Sequence, residues 1–150
     1  MPQSLANILL HLVFGTKNRV ACIEPLIERE LYPYLASICG ALACAPHKIG
    51  GTANHVHITC SLSRTTTVSK LLEEVKKNSS KWLKTKGANY RRFAWQNGYG
   101  AFSIGQSQLE NLECYIEQQK EHHKRKTFEQ ELRELLTKYR VPYDERYIWD

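Results

Sequence analysis

The stretch Asn54-His55-Val56-His57-Ile58-Thr59-Cys60-Ser61-Leu62 alternates two kinds of residue, and its reading decides the fold. Strand side chains point alternately to two faces, so His55, His57 and Thr59 share one face while Val56, Ile58, Cys60 and Leu62 turn toward a core. Two imidazoles on one rigid face can each offer a neutral nitrogen to a shared ion without a loop folding around it. The same pair also reads as half-exposed strand histidines bonded to water, and spacing alone does not separate the two readings.

Upstream, His47-Lys48-Ile49 reads as a short strand that enters this one through a tight turn at Gly50-Gly51. Ile8 to Thr16 is apolar on both faces, as a central strand is, with His11 in a structural place and Lys17-Asn18-Arg19 as a basic exit. Between the two, Ile27, Leu31, Leu35, Ile38 and Leu42 recur at helical spacing behind Pro25, and Pro33 predicts a bend or a late start. Downstream, Thr65 to Thr67 caps a helix with the stripe Val68, Leu71, Leu72, Val75, Trp82 and Leu83, stopped by Gly87. Lys70, Lys77, Lys81 and Lys84 form a second stripe on it, either a solvated face or a track for phosphates. The segment from Ala88 to Gly100 interleaves Arg91 and Arg92 with Tyr90, Phe93, Trp95 and Tyr99. That mixture suits a single nucleic-acid strand, although aromatics in a loop also plug core edges. Phe102 and Ile104 alternate with small residues as a last strand.

The order strand, helix, strand, strand, helix, strand gives an α+β fold, a ferredoxin-like antiparallel sheet with helices on one face and the other left for a site. A further helix over about 108–124 carries Tyr115 and Gln119, four apart and so on one side. A last helix opens with the capping box Thr127 to Gln130, and the aromatic tail to Asp150 is expected to dock on the body or on a partner.

The 150 residues are expected to form a single domain, 1–150, and the composition is globular, 42% hydrophobic and 24% charged. Five cysteines without C-x-x-C spacing point to a reduced, cytoplasmic setting. No apolar run approaches the ~20 residues that span a bilayer, so no membrane association is expected. A net charge of +6 favours a polyanionic partner.

A histidine-hydrophobic-histidine strand, a helix with Tyr-x-x-x-Gln and a small basic ferredoxin-like frame together resemble the HUH single-tyrosine transposases of bacterial insertion sequences, the TnpA type that moves single-stranded DNA. The likeness runs from His11-Leu12-Val13-Phe14-Gly15-Thr16-Lys17 through His55-Val56-His57 and Tyr115-Ile116-Glu117-Gln118-Gln119 to the C-terminus, with Asn54 where Asp is frequent. The resemblance implies that His55, His57 and Gln119 bind a divalent metal, Mg²⁺ or Mn²⁺, and that Tyr115 attacks the DNA to leave a 5′-phosphotyrosine. It further implies a homodimer in which one copy's tyrosine helix completes the other's histidine pair. With three neutral ligands the ion keeps its full charge for the phosphate, and Lys120 is a neighbour that could favour the phenolate. Lys17, Arg19, Lys70, Lys77, Lys81, Lys84, Arg91, Arg92 and Trp95 are the expected DNA contacts. Two other readings fit parts of the sequence: a single-stranded nucleic-acid-binding module without chemistry, and a metal-dependent hydrolase using water.

Overall fold

The computed structural model describes residues 2–150. Its strands are β1 (Leu9–Gly15), β2 (Pro46–Thr52), β3 (His55–Ser61) and β4 (Gly100–Ile104), joined in one antiparallel sheet of order β2-β3-β1-β4. The first two helices are α1 (Pro25–Ala41) and α2 (Val68–Lys84). Leu10, Leu12 and Phe14 of β1 with Val56, Ile58 and Cys60 of β3 form the face that these helices cover, through Leu31, Leu35, Leu71, Leu72 and Val75. This is the expected ferredoxin-like half, and alternation produced it.

The opposite face is not left open. It carries α3 (Leu109–Glu117), α4 (Gln119–His122) and α5 (Phe128–Lys138), with a second core of Val13, Phe102, Phe128, Leu132 and Leu136. The C-terminal tail docks on the body: the Gln96 amide donates to the Ile148 carbonyl at 3.1 Å and the Gly98 N–H to Asp150 at 3.0 Å.

Three local expectations are corrected. Helix α1 runs continuously through Pro33, which lies on its exposed side, where water can take up the carbonyl that the proline leaves unbonded. The β2–β3 turn falls at Ala53-Asn54 and not at the glycine pair, which is inside β2. There the missing side chain serves close approach, because a Cβ on Gly50 would stand 2.7 Å from the Ile116 carbonyl oxygen of α3. The helix expected over 108–124 breaks at Gln118, so Tyr115 and Gln119 lie on different segments.

Candidate active site

The site is built on the face that His55 and His57 share. In register, His57 faces Val13 across β1 and Gly50 across β2, while His55 faces Gly15 and Thr52. Both rings are fully buried, where the sequence allowed them to be half-exposed. What covers them is α5. The Thr127 hydroxyl accepts from Gln130 N at 3.1 Å and starts this helix, a cap worth about 1 kcal/mol. Phe128 then stacks on the His55 ring at 4.3 Å between centroids, Leu132 and Leu136 seal the second core, and Glu131, only 1% exposed, is carried in between them.

Glu131 is the residue that sequence pattern alone did not single out. Its Oε1 lies 2.9 Å from His57 Nε2, 3.3 Å from His55 Nε2 and 3.2 Å from His123 Nε2. Its Oε2 accepts from the Gln119 amide at 2.9 Å and from the Tyr115 hydroxyl. Burial opposes its ionisation, but the hydrogen bonds from His123, His55 and His57 hold the carboxyl far below the usual carboxylate range.

The hydrogen bonds around His55 engage both ring nitrogens. Its Nδ1 is 2.8 Å from Asn54 Oδ1 and its Nε2 is 2.8 Å from Gln119 Oε1, both acceptors, and a neutral ring can donate to only one of them. Burial holds this ring neutral, its pKa lowered to about 4 against the pull of Glu131. In the tautomer with the proton on Nδ1, Nε2 turns a lone pair toward Gln119 Oε1 at 2.8 Å and Glu131 Oε1 at 3.3 Å. That tautomer gathers lone pairs at a buried point, the arrangement that a cation completes. His55 Nε2, one ring nitrogen of His57 and a Glu131 oxygen lie within 4.8 Å of one another, and two imidazoles with one carboxylate suit a divalent first-row metal with open positions. The donor set therefore fits a metal, with one change from expectation. The carboxylate brings a negative charge where an all-neutral set was expected.

His57 is fixed from behind. Its Nδ1 lies 2.8 Å from Nε2 of His11, a fully buried ring whose pKa burial, and then His57, lower to about 3. A neutral His11 can accept a hydrogen bond from His57 Nδ1, and the tautomer that makes this bond leaves the His57 Nε2 lone pair for an ion, so this strand histidine can support the site.

Tyr115 completes the group. It is half-buried, its ring 4.5 Å from His122 and edge-on to His57 at 6.0 Å. Burial, then the charge and hydrogen bond of Glu131, push its phenol above the ordinary tyrosine value. One chain thus brings Tyr115 to its own His55, His57 and Gln119. Lys120 is not at the phenol; its ammonium pairs with Glu28 of α1 at 2.7 Å. His123 also reaches Gln119 Oε1 at 3.0 Å.

The expected DNA contacts separate. Arg19 lies 4.9 Å above the Trp149 ring and 3.7 Å from Glu129, close to the site, and Lys17 is exposed beside it. Lys70, Lys77, Lys81 and Lys84 are on α2, across the sheet from the imidazoles, and Lys70 and Lys77 pair with Glu74 at 3.0 and 3.1 Å. Arg91 and Arg92 are exposed near the end of α2. Trp95 is no stacking platform: it is buried edge-on to Phe14 and Phe93, and its Nε1 donates to Ser79 Oγ at 2.9 Å. Exchanging Lys81 and Lys84 for Gln is accordingly expected to change strand affinity by no more than about 0.5 kcal/mol, read from a salt titration of binding.

Gly50 offers a sharper test of the geometry. An added methyl would press on the Ile116 backbone, next to Tyr115. Gly50→Ala is expected to cost about 1–3 kcal/mol of stability by overpacking, and misplacing the phenol to slow its reaction about 100-fold. Thermal unfolding and a rate measurement on the same protein check both.

Comparison with known proteins bears on the fold and the family. A search of curated proteins gives no match. Among solved structures, a candidate transposase from Deinococcus radiodurans is similar with a TM-score of 0.62 and 16% identity, over 79% of this chain and 98% of that one. A REP-associated tyrosine transposase bound to a REP hairpin is similar with a TM-score of 0.60 and 14% identity, over 82% of this chain and 72% of that one. At such identities the likeness is one of fold. The family of IS200-like transposases matches residues 4–119, most of the chain, with His55, His57, Tyr115 and Gln119 inside the match and α5 with Glu131 beyond it, and on that match the chain belongs to the IS200-like family and is a DNA transposase.

Proposed function

We propose that this transposase cleaves and rejoins single-stranded DNA by transesterification, with Tyr115 as the nucleophile and a 5′-phosphotyrosine as the intermediate. The observation that carries this reading is the meeting, in one chain, of a phenol, two imidazoles, an amide and a carboxylate around one buried point. The similar structure bound to a REP hairpin supports a single strand folded into a hairpin as the ligand.

The phenol is held protonated by burial and by Glu131, so attack needs a proton acceptor; Glu131 Oε2, a weak base that already accepts its hydrogen bond, takes the proton only as bonding to phosphorus makes the phenol oxygen acidic. As the bond from Tyr115 Oη to phosphorus forms, the phenolic proton passes to Glu131, the bond from phosphorus to O3′ breaks, and O3′ takes a proton from water. The Gln119 amide, bonded to the same carboxylate, keeps it aimed at the phenol. In the reverse step a second 3′-hydroxyl gives its proton to water as its oxygen bonds to phosphorus, the bond from phosphorus to Tyr115 Oη breaks, and the phenolate recovers its proton from Glu131. The ester conserves the energy of the bond, so no nucleotide cofactor is required. His55, His57 and Glu131, with Gln119 beside them, would hold a divalent ion. When bound, the ion polarises the phosphate and stabilises charge on the departing oxygen. Imidazole donors favour Mn²⁺ over Mg²⁺ in this set.

The test is a denaturing gel after incubation of the protein with Mn²⁺ and a hairpin-bearing strand. A covalent protein–DNA adduct, removed by a chelator and absent in Tyr115→Phe, is the expected result. Cleavage that survives Tyr115→Phe would point to attack by water, and binding without any cleavage to a module that only holds DNA.

A further inference from the structure

Two concavities flank the site, and their chemistry differs. On the His123 side an open groove of about 660 Å³ is lined by four cations, Arg19, Lys124, Arg125 and Lys126, against one carboxylate, Glu129. On the Tyr115 side lies a more enclosed cavity of about 410 Å³, bordered by Tyr115 and Glu131 themselves. Its charges balance, Glu131 and Glu134 against Lys126 and Lys138, and Lys126 is tied to Glu134 at 2.6 Å. A phosphodiester gains from the first surface and little from the second.

The walls of the second cavity are of another kind. Ile104, Leu112, Leu135 and Tyr139 are each half-buried, so each leaves apolar surface facing it, and the Tyr139 ring is held in place by stacking on Phe102 at 4.7 Å. Besides the charged groups and Tyr115, the polar groups are the Gln108 and Asn111 amides and His11, a fully buried ring whose Nδ1 has no partner among the described residues. Apolar walls with a few convergent hydrogen-bonding groups, at a volume suited to a small planar ligand, are what recognition of an unstacked base requires.

We propose that this cavity receives one nucleobase of the strand, the one adjoining the phosphate that Tyr115 attacks, while the basic groove on the other side carries the sugar-phosphate chain. The proposal rests on the strand-transfer reading and adds to it a base-reading subsite. Leu112 and Leu135 clamp the base, and the Asn111 amide reads its edge.

The natural target need not be identified to test this. The full chain and Mn²⁺ are incubated with hairpin-bearing strands randomised around the loop base, and both fragments of each covalent adduct are sequenced. The wild-type protein is expected to prefer one base about tenfold or more at a single position next to the cut. Leu112→Trp, which fills the cavity, is expected to lose that preference and keep those at other positions; Asn111→Ala is expected to relax the choice without abolishing the adduct. Where Leu112→Trp forms no adduct, a strand with an abasic residue at that position is expected to restore it, since the indole then occupies vacated space. A Leu112→Trp protein that keeps the wild-type preference, or a folded one that the abasic strand does not rescue, overturns the subsite. A wild-type protein that forms no adduct with any strand counts instead against the strand-transfer reading.

Discussion

A mixture of Tyr115→Phe protein with His57→Ala protein is expected to form no more DNA adduct than either variant alone. Each substitution is expected to abolish the reaction, the first by removing the nucleophile and the second by removing one imidazole. If the site were shared between copies, a mixed pair would contain one site with both groups intact, and activity would return. The structure brings Tyr115, His55, His57 and Gln119 together within one chain. Helix α3 seats on β2 of the same chain, where the bare Gly50 admits the Ile116 backbone, and the next turn is tied to α1 by Lys120 and Glu28 at 2.7 Å. Tyr115 directly precedes the first of these anchors and donates to Glu131 of its own α5. Restored adduct in the mixture, scaling with the product of the two concentrations, would show that the helix crosses to a second copy and that the in-chain contacts are not the working ones.

How far the sequence carried this picture follows from what local pattern can express. Alternation and helical spacing revealed the strands and the two helices behind the sheet, because burial on one face writes itself into the order of residues. His55, His57, Tyr115 and Gln119 were legible for a different reason, as a motif whose parts are unusual in combination. The glycines of β2 misled, since Gly50-Gly51 reads as a turn when only the chain ahead is considered; the helix that needs Gly50 bare is more than sixty residues later. Glu131 did leave a signal. It falls between Phe128, Leu132 and Leu135, on the stripe that α5 buries, and an acid on such a stripe must find a partner. Asn54 and His11 left none, because supporting a metal ligand from behind needs only one hydrogen bond from any residue that the fold happens to bring near.

Glu131→Gln is expected to slow adduct formation by about 10²–10⁴-fold, the range associated with a positioned proton acceptor. The substitution preserves size and one oxygen, so α5 should keep its seat on Phe128, Leu132 and Leu136. What it removes is the charge that holds the phenolic proton and faces His55, His57 and His123. The two roles of the carboxylate can be separated by titrating Mn²⁺ into the variant and following the free ion by electron paramagnetic resonance. A slow reaction with Mn²⁺ affinity unchanged assigns Glu131 to the proton alone; a slow reaction with affinity lowered about 10- to 100-fold makes it a ligand as well. Because Oε1 faces the imidazoles and Oε2 the phenol, the geometry supports both roles at once, and a loss on both readouts is the expected result. A variant that reacts at the wild-type rate would reduce Glu131 to an anchor for α5, and the phenol would then have to lose its proton to water or to His122, the ring packed against it at 4.5 Å.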